Sequence, residues 1–290
     1  MAQLALRHPD NVDGDFFVDT SCIDCDACRQ LAPSVFRDAG EQSAVHHQPA
    51  TEAELLDAQK ALLACPTASI GDAAKRDLER ALDVFPELVD GDVYRCGFTS
   101  ESSFGAFSYL LRQDGNVLID SPRFAAPLVK RLDAMGGVRR MLLTHQDDVA
   151  DHAKFHERFG CERVIHRDDL RAGTVTVELK VDGHEPVELE PGLVMIPTPG
   201  HTKGHAVFLW KEAYLFTGDH LAWSETRGHL YAFRSACWYS WSEQIRSMER
   251  LRDFRFEWVL PGHGRPIRLA PDAMRESLER CIAWMRSRLP

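Results

Sequence analysis

No stretch of this chain approaches the roughly 18 consecutive apolar residues of a membrane-spanning helix. The run from Ala61 to Ile70 is among the most apolar, and Cys65 and Pro66 lie inside it. Basic residues are also scarce: 34 Lys and Arg stand against 44 Asp and Glu, a formal charge of −10. That balance argues against the broad basic face that nucleic acid requires, and against a nucleic-acid partner. Eight cysteines in 290 residues are far fewer than a disulfide scaffold carries. The segment Met1 to Asn11 holds Arg7, His8 and Asp10 but no apolar core of the secretory kind, so a reducing, cytoplasmic location is expected. Internal repeats and low-complexity tracts are missing too. What remains is 44% hydrophobic and 27% charged, enough to bury a core, over a length that suits about two domains.

The acidity is uneven. Up to Lys75 there are 12 acidic and 5 basic residues, so about −7 of the charge lies in the first quarter of the chain. The charged stretch Asp77–Val93 has partial helical spacing until Pro86 and Gly91 interrupt it, and reads as a connection. Beyond it, short apolar runs alternate with charged periodic segments, the pattern of strands and helices taking turns. NVLID (116–120), RMLLTH (140–145), GLVMIPTPGH (192–201), AVFLW (206–210), AYLFTGD (213–219) and WVLPGHG (258–264) all read as buried strands leading into polar loops. His or Asp directly after the apolar residues places polar side chains together at one rim.

Cys22, Cys25 and Cys28 form C-x2-C-x2-C, and Cys65 is followed by Pro66. Three thiolates on one tight loop suit three corners of an iron–sulfur cube, whereas four-cysteine zinc modules present two separated pairs. The bacterial ferredoxin run continues x3-C-P, its fourth cysteine serving a second cluster. Here that position is Ala32, with Pro33 retained. The segment resembles a single-cluster 4Fe-4S ferredoxin domain over about 75 residues, which implies Cys65 as the fourth ligand. A zinc site is the alternative. Cys96, Cys161, Cys237 and Cys281 are scattered singly and read as buried thiols.

His145 and His152 in THQDDVADH, His201 in PTPGHTKGH, Asp219 in LFTGD and His263 in LPGHG supply imidazoles and a carboxylate from several loops, as a catalytic metal site requires. In this order they resemble the metallo-β-lactamase fold superfamily, over roughly residues 93 to 290. The resemblance implies an α+β architecture: a small ferredoxin-like domain (1–76), a linker (77–92) and an αββα sandwich (93–290). It also implies Asp219 bridging two metals, with His145 and His201 on the first and Asp151, His152 and His263 on the second. Asp219 and Asp151 are the residues expected to be catalytic. The chain departs from the family where H-x-H-x-D-H is normal: the segment is two residues longer and has a carboxylate where the second His is expected. Asp147 is the candidate for that position and Asp148 the second choice. With a carboxylate ligand, iron or manganese is favoured somewhat over zinc, and one metal remains an alternative to two.

Several residues take plainer readings. His205 and His220 are expected to support or pack against the ligands, and His156 to be solvated. The aromatic stretch Trp223–Trp241 either walls a substrate pocket or covers the core, and Arg227 and Arg234 are possible anion contacts. The function expected is a hydrolase acting on a small molecule, with metal-bound hydroxide as nucleophile. The alternatives are a ferredoxin-coupled iron oxidoreductase, resembling the flavodiiron proteins that reduce oxygen or nitric oxide, and a non-catalytic electron carrier or sensor. A basic redox partner would suit the acidic ferredoxin segment.

Overall fold

The computed structural model describes residues 2–289. The chain divides into two compact units, one holding residues up to Arg139 together with Ala150–Cys161, the other Arg140–Val149 and Glu162 onward. Among the described residues, no helix is long and apolar enough to cross a membrane.

In the first unit, the fully buried strand Phe16–Val18 pairs antiparallel with Ile70–Asp72, Phe16 opposite Asp72 and Val18 opposite Ile70. Between them lie the helix Ala27–Leu31, the hairpin Phe36–Asp38 with Ser43–Val45, and the helix Glu52–Ala64. Thr51 starts that helix as one half of a capping box: its hydroxyl accepts from the Glu54 amide, and the Glu54 carboxylate accepts from the Thr51 amide. Such reciprocal capping satisfies two otherwise orphaned donors and is worth about 1 kcal/mol. The helix ends at Cys65, whose backbone (φ −53°, ψ 120°) leaves the helical region before Pro66. The sequence thus delivers Cys65 on the end of a rigid rod.

The stretch read as a connection folds into the helix Glu79–Val84 and the strand Glu87–Asp90. That strand opens an antiparallel meander with Val93–Arg95, Tyr109–Leu111 and Val117–Ile119. The helices Ala126–Ala134 and His152–Phe159 belong to the same unit.

In the second unit, Arg140–Leu142, Glu162–His166 and Leu179–Val181 run parallel. A six-stranded sheet follows, in the order Val187–Glu190, Leu193–Pro197, Ala206–Trp210, Tyr214–Gly218, Trp258–Pro261 and Ile267–Arg268. Tyr214–Gly218 and Trp258–Pro261 are parallel, so the FTGD and PGHG loops leave the sheet at the same end. The helices Trp241–Arg250 and Pro271–Arg286 bring Ile245, Met248, Leu278, Ile282 and Met285 onto Ile196, Val207, Leu209, Leu215 and Val259 of the sheet. Each such side chain stabilises the fold by roughly 1.5–3 kcal/mol when fully buried. All six apolar runs picked out from the sequence contain a strand, and each ends within a few residues of the polar loop that follows.

Candidate metal centres

The cysteine site is a loop folded back on itself. Asp24 and Asp26, on either side of Cys25, take left-handed backbone conformations (φ 61° and 66°), which Asp tolerates better than most side chains. Arg29 clamps both, at 2.9 Å from Asp24 and 2.5 Å from Asp26. Cys22, Cys25, Cys28 and Cys65 then line one small cavity with Ile23, Pro66 and Ile70. Backbone amides of Ser43 and Ser69 donate to the sulfurs of Cys22 (3.5 Å) and Cys65 (3.3 Å). Burial pushes the Cys25 thiol up to about 12, and the neighbouring cysteines add to it; burial raises Cys28 further still. Buried thiols such as Cys25 and Cys28 ionise readily only against a cation, and the amides aimed at the sulfurs of Cys22 and Cys65 are suited to thiolate, so the site fits a cluster. Gly105 (φ +84°) covers it: a Cβ there would lie 2.8 Å from the Cys25 sulfur.

The histidine–aspartate site is assembled from four loops of the second unit. His145 follows the strand Arg140–Leu142, is wholly buried, and has its Nδ1 2.9 Å from the Thr144 hydroxyl. Its Nε2 has no hydrogen-bond partner, and neither ring nitrogen of buried His201 has one. The Asp219 Oδ2 lies 3.8 Å from His145 Nε2 and 3.7 Å from His201 Nε2, while its Oδ1 is 2.7 Å from His263 Nδ1. Asp147 Oδ2 is 3.6 Å from His201 Nε2 and 3.9 Å from His145 Nε2. The separations of 3.6–3.9 Å are too long for hydrogen bonds, but two ligands each ~2.1 Å from one ion stand roughly 3.4 Å apart. Ligand atoms of His145, Asp147 and His201 lie within 4.8 Å of one another, as do those of His145, Asp148 and Asp219. Orphaned buried imidazoles facing carboxylates are what a divalent cation would satisfy, and the donor set fits one.

Electrostatics prepare these groups as ligands. Burial drives His145 down to about 4, keeping its imidazole neutral. Burial works to raise Asp219, yet His263 and then His145 and His201 hold its carboxyl well below the usual range. Gly218 (φ +47°) brings the FTGD turn against Thr144, where a Cβ would lie 2.5 Å from the hydroxyl oxygen. Only glycine fits that approach.

Asp151 and His152 belong to the first unit. Asp151 precedes the helix His152–Phe159; its Oδ2 accepts from the Phe124 amide at 2.8 Å and its Oδ1 pairs with Lys154 at 2.7 Å. Burial opposes the ionised form, but Lys154 and that amide keep the carboxyl below its ordinary range. His152 is buried.

Asp169, fully buried, had no part in the sequence reading. Its carboxylate accepts from the amides of Gln146 (3.0 Å) and Gly204 (2.6 Å) and from the Thr202 hydroxyl (2.5 Å). One side chain therefore ties the His145 loop to the His201 loop. A weak signal was available: Asp169 lies in the polar turn that follows the strand Glu162–His166.

The supporting histidines lie where packing residues lie. His205 is buried with Nδ1 2.9 Å from the Thr198 hydroxyl, and stacks on His220 with ring centroids 5.4 Å apart. Burial pulls both down, His220 to about 3. His156 differs from expectation: it is half-buried, with Nδ1 2.8 Å from the Cys161 carbonyl, because the chain turns back at Gly160 and brings that carbonyl to the helix end. The aromatic stretch splits. Trp223 and Trp241 pack on the core, whereas Trp238 is 67% exposed with its ring centroid 6.3 Å from that of His201. Arg227 lies over Tyr231 and Trp284, and Arg234 over Trp241, so rings engage both guanidinium groups.

Comparison with known proteins supports both halves. Residues 18–72 match the model of the 4Fe-4S single cluster domain of Ferredoxin I. A hydroxyacylglutathione hydrolase of Methylobacillus flagellatus is 30% identical over 125 residues, 40% of this chain and 47% of that protein. The uncharacterized protein YmaE of Bacillus subtilis is 27% identical over 127 residues, 41% of this chain and 46% of that protein. The chain thus spans about half the length of the curated relatives it matches. Among solved structures, VMB-1 superposes with a TM-score of 0.52 at 15% identity, covering 69% of this chain and 95% of its own. The DIM-1 metallo-beta-lactamase gives 0.51 at 18% identity, covering 67% and 96%. The chain therefore joins a single-cluster 4Fe-4S ferredoxin segment to a metallo-β-lactamase fold.

Proposed function

We propose that the protein is a cytoplasmic metal-dependent hydrolase acting on a small ester-type substrate, a thioester foremost. The observation that carries this reading is the convergence of orphaned imidazole nitrogens of His145 and His201 on the carboxylates of Asp147 and Asp219, at 3.6–3.9 Å. His145, Asp147, His201, Asp219 and His263 are the proposed ligands, all of them from the second unit. One or two divalent ions held there would polarise an acceptor oxygen and bring the pKa of water toward neutrality. Neutral His145 offers its Nε2 lone pair, and ionised Asp219 presents one oxygen to His145 and His201 and the other to His263. The exposed indole of Trp238 supplies an apolar wall beside His201. Likeness to a hydroxyacylglutathione hydrolase supports the choice of a thioester.

Asp219→Ala in metal-loaded protein, assayed on thioester, ester and phosphoester panels, is expected to lower turnover at least ~10³-fold. Undiminished hydrolysis in that variant would sink the mechanism. One observation favours a second reading. Asp147 puts a carboxylate against both imidazoles, a harder set that suits iron and an oxidoreductase supplied with electrons through the cluster. Turnover without reductant supports the hydrolase; consumption of oxygen or nitric oxide only with reductant supports the second.

A further inference from the structure

Within the first unit, a row of hydroxyl groups runs from a cluster cysteine to a buried carboxylate. The Cys65 sulfur lies 3.8 Å from the Thr67 hydroxyl, which is 2.6 Å from the Ser69 hydroxyl, itself 2.7 Å from that of Ser21. The Ser21 hydroxyl donates to Asp19 Oδ1. Along the row, either partner of each sulfur or hydroxyl contact could donate; Asp19 settles the direction. It is 1% exposed, and its carboxylate also accepts from the amides of Ser21 (3.0 Å, at Oδ1) and Gln3 (2.8 Å, at Oδ2). Three donors on two oxygens are the pattern of an ionised carboxylate, which only accepts. Each hydroxyl has a single hydrogen to give. With that of Ser21 committed to Asp19, Ser69 donates to Ser21 and Thr67 to Ser69. Thr67 then has no hydrogen left for Cys65 and turns a lone pair toward the sulfur. The Ser69 amide donates to the same sulfur at 3.3 Å, so of these two polar groups only the amide does so.

We propose that Asp19, acting through Ser21 and Ser69, withholds the Thr67 hydroxyl from Cys65 and thereby keeps the cluster hard to reduce. The proposal rests on the reading in which the four cysteines hold a cluster. Hydrogen bonds to the cysteine sulfurs are among the factors that set a cluster's potential. A donor stabilises the reduced state, because reduction adds negative charge to the sulfurs, whereas a lone pair gives no such help. Ser69, in the middle of the row, is fully buried, where hydrogen bonds are electrostatically stronger than in water. Asp19, Ser21 and Ser69 are positioning residues, since they act on the cluster only through Thr67. The step they bias moves one electron from a one-electron donor to the oxidised cluster and neither makes nor breaks a covalent bond.

The test is an anaerobic dithionite titration of the full cluster-loaded chain, followed by EPR, on variants shown by elemental analysis to hold about four cluster irons. Ser69→Ala removes the acceptor of the Thr67 hydrogen but keeps the amide at position 69. It is expected to ease reduction about tenfold, 59 mV for one electron. Adding Thr67→Val should restore the original potential, since no hydroxyl remains to turn, and Thr67→Val alone should not make reduction harder. Ser21→Ala, at the exposed end of the row, releases Ser69 and then Thr67, and should ease reduction in the same direction. An unchanged potential in Ser69→Ala overturns the proposal, as does an easing that survives loss of the Thr67 hydroxyl. A tenfold harder reduction in Thr67→Val overturns it too, because a hydroxyl already donating to Cys65 would behave in that way. Should Ser69→Ala fail to hold the cluster, an unchanged potential in Ser21→Ala is decisive in the same sense. Iron counts report the cluster and potentials report the row, so failure of the one reading is separate from failure of the other.

Discussion

Cys22, Cys25 and Cys28 come from the single short segment 22–28, whereas His145, Asp147, His201, Asp219 and His263 come from four loops. The first site is shaped by local devices: two left-handed aspartates, one arginine clamp and a capped helix that delivers Cys65. The second exists only once strands have paired in register, since its loops meet through the parallel pairing of Tyr214–Gly218 with Trp258–Pro261 and through Asp169. The chemistry differs in the same sense. Thiols in an apolar pocket are pushed toward the protonated form by burial, while Asp219 is held ionised by imidazoles. Thus one site depends on its cofactor for charge balance, and the other carries part of its balance in the protein.

If the two sites are separately built, damage should stay where it is made. Cys25→Ser is expected to remove all of the roughly four cluster irons, measured by elemental analysis and visible absorption, while Asp219→Ala leaves them in place. Loss of cluster iron in Asp219→Ala would break the comparison. Asp169→Asn presents an amide where two N–H groups and a hydroxyl now donate, so affinity for the divalent ion should fall 10–100-fold, read by competition with a chelator, with cluster iron unchanged. Gly105→Ala puts a methyl group against the Cys25 sulfur at a positive φ, and should destabilise the first unit by about 2 kcal/mol or more, seen as a lower denaturant midpoint.

The mildest effect concerns pH. His145 and His220 titrate near 4 and 3 in the fold but near 6.5 when unfolded. The unfolded chain therefore takes up protons first, and stability complete above pH 6.5 is lost as pH falls through that window. For metal-free protein the loss is about 1 kcal/mol per imidazole between pH 7.5 and 6, followed by melting temperature, and His220→Leu should flatten the slope.

The cysteine spacing and the strand-then-ligand pattern were legible because each is a local property of a few consecutive residues. His145, His201 and Asp219 could be picked out in this way, and Asp147 came forward because the expected histidine position held an acid. Asp169 and the hydroxyl row from Asp19 to Cys65 were not legible. Asp169 holds two loops that only tertiary structure brings to it, and Ser21 meets Ser69 across a long sequence separation. His156 was misjudged for a related reason: the carbonyl of Cys161 that it meets is presented by the turn at Gly160. That Arg227 and Arg234 lie over aromatic rings was not legible either, since sequence cannot show which rings a guanidinium will cover.

The placing of Cys65 at the end of the helix Glu52–Ala64 bears on endurance as well as on chemistry. A cluster held by Cys28 and Cys65 is a cross-link that closes the intervening chain into a loop, and closing a loop of this length removes about 4 kcal/mol of disorder from the unfolded state. Oxidative loss of the inorganic core would therefore do more than silence a redox centre: it would unfasten the clasp of the whole acidic segment and expose it to proteolysis.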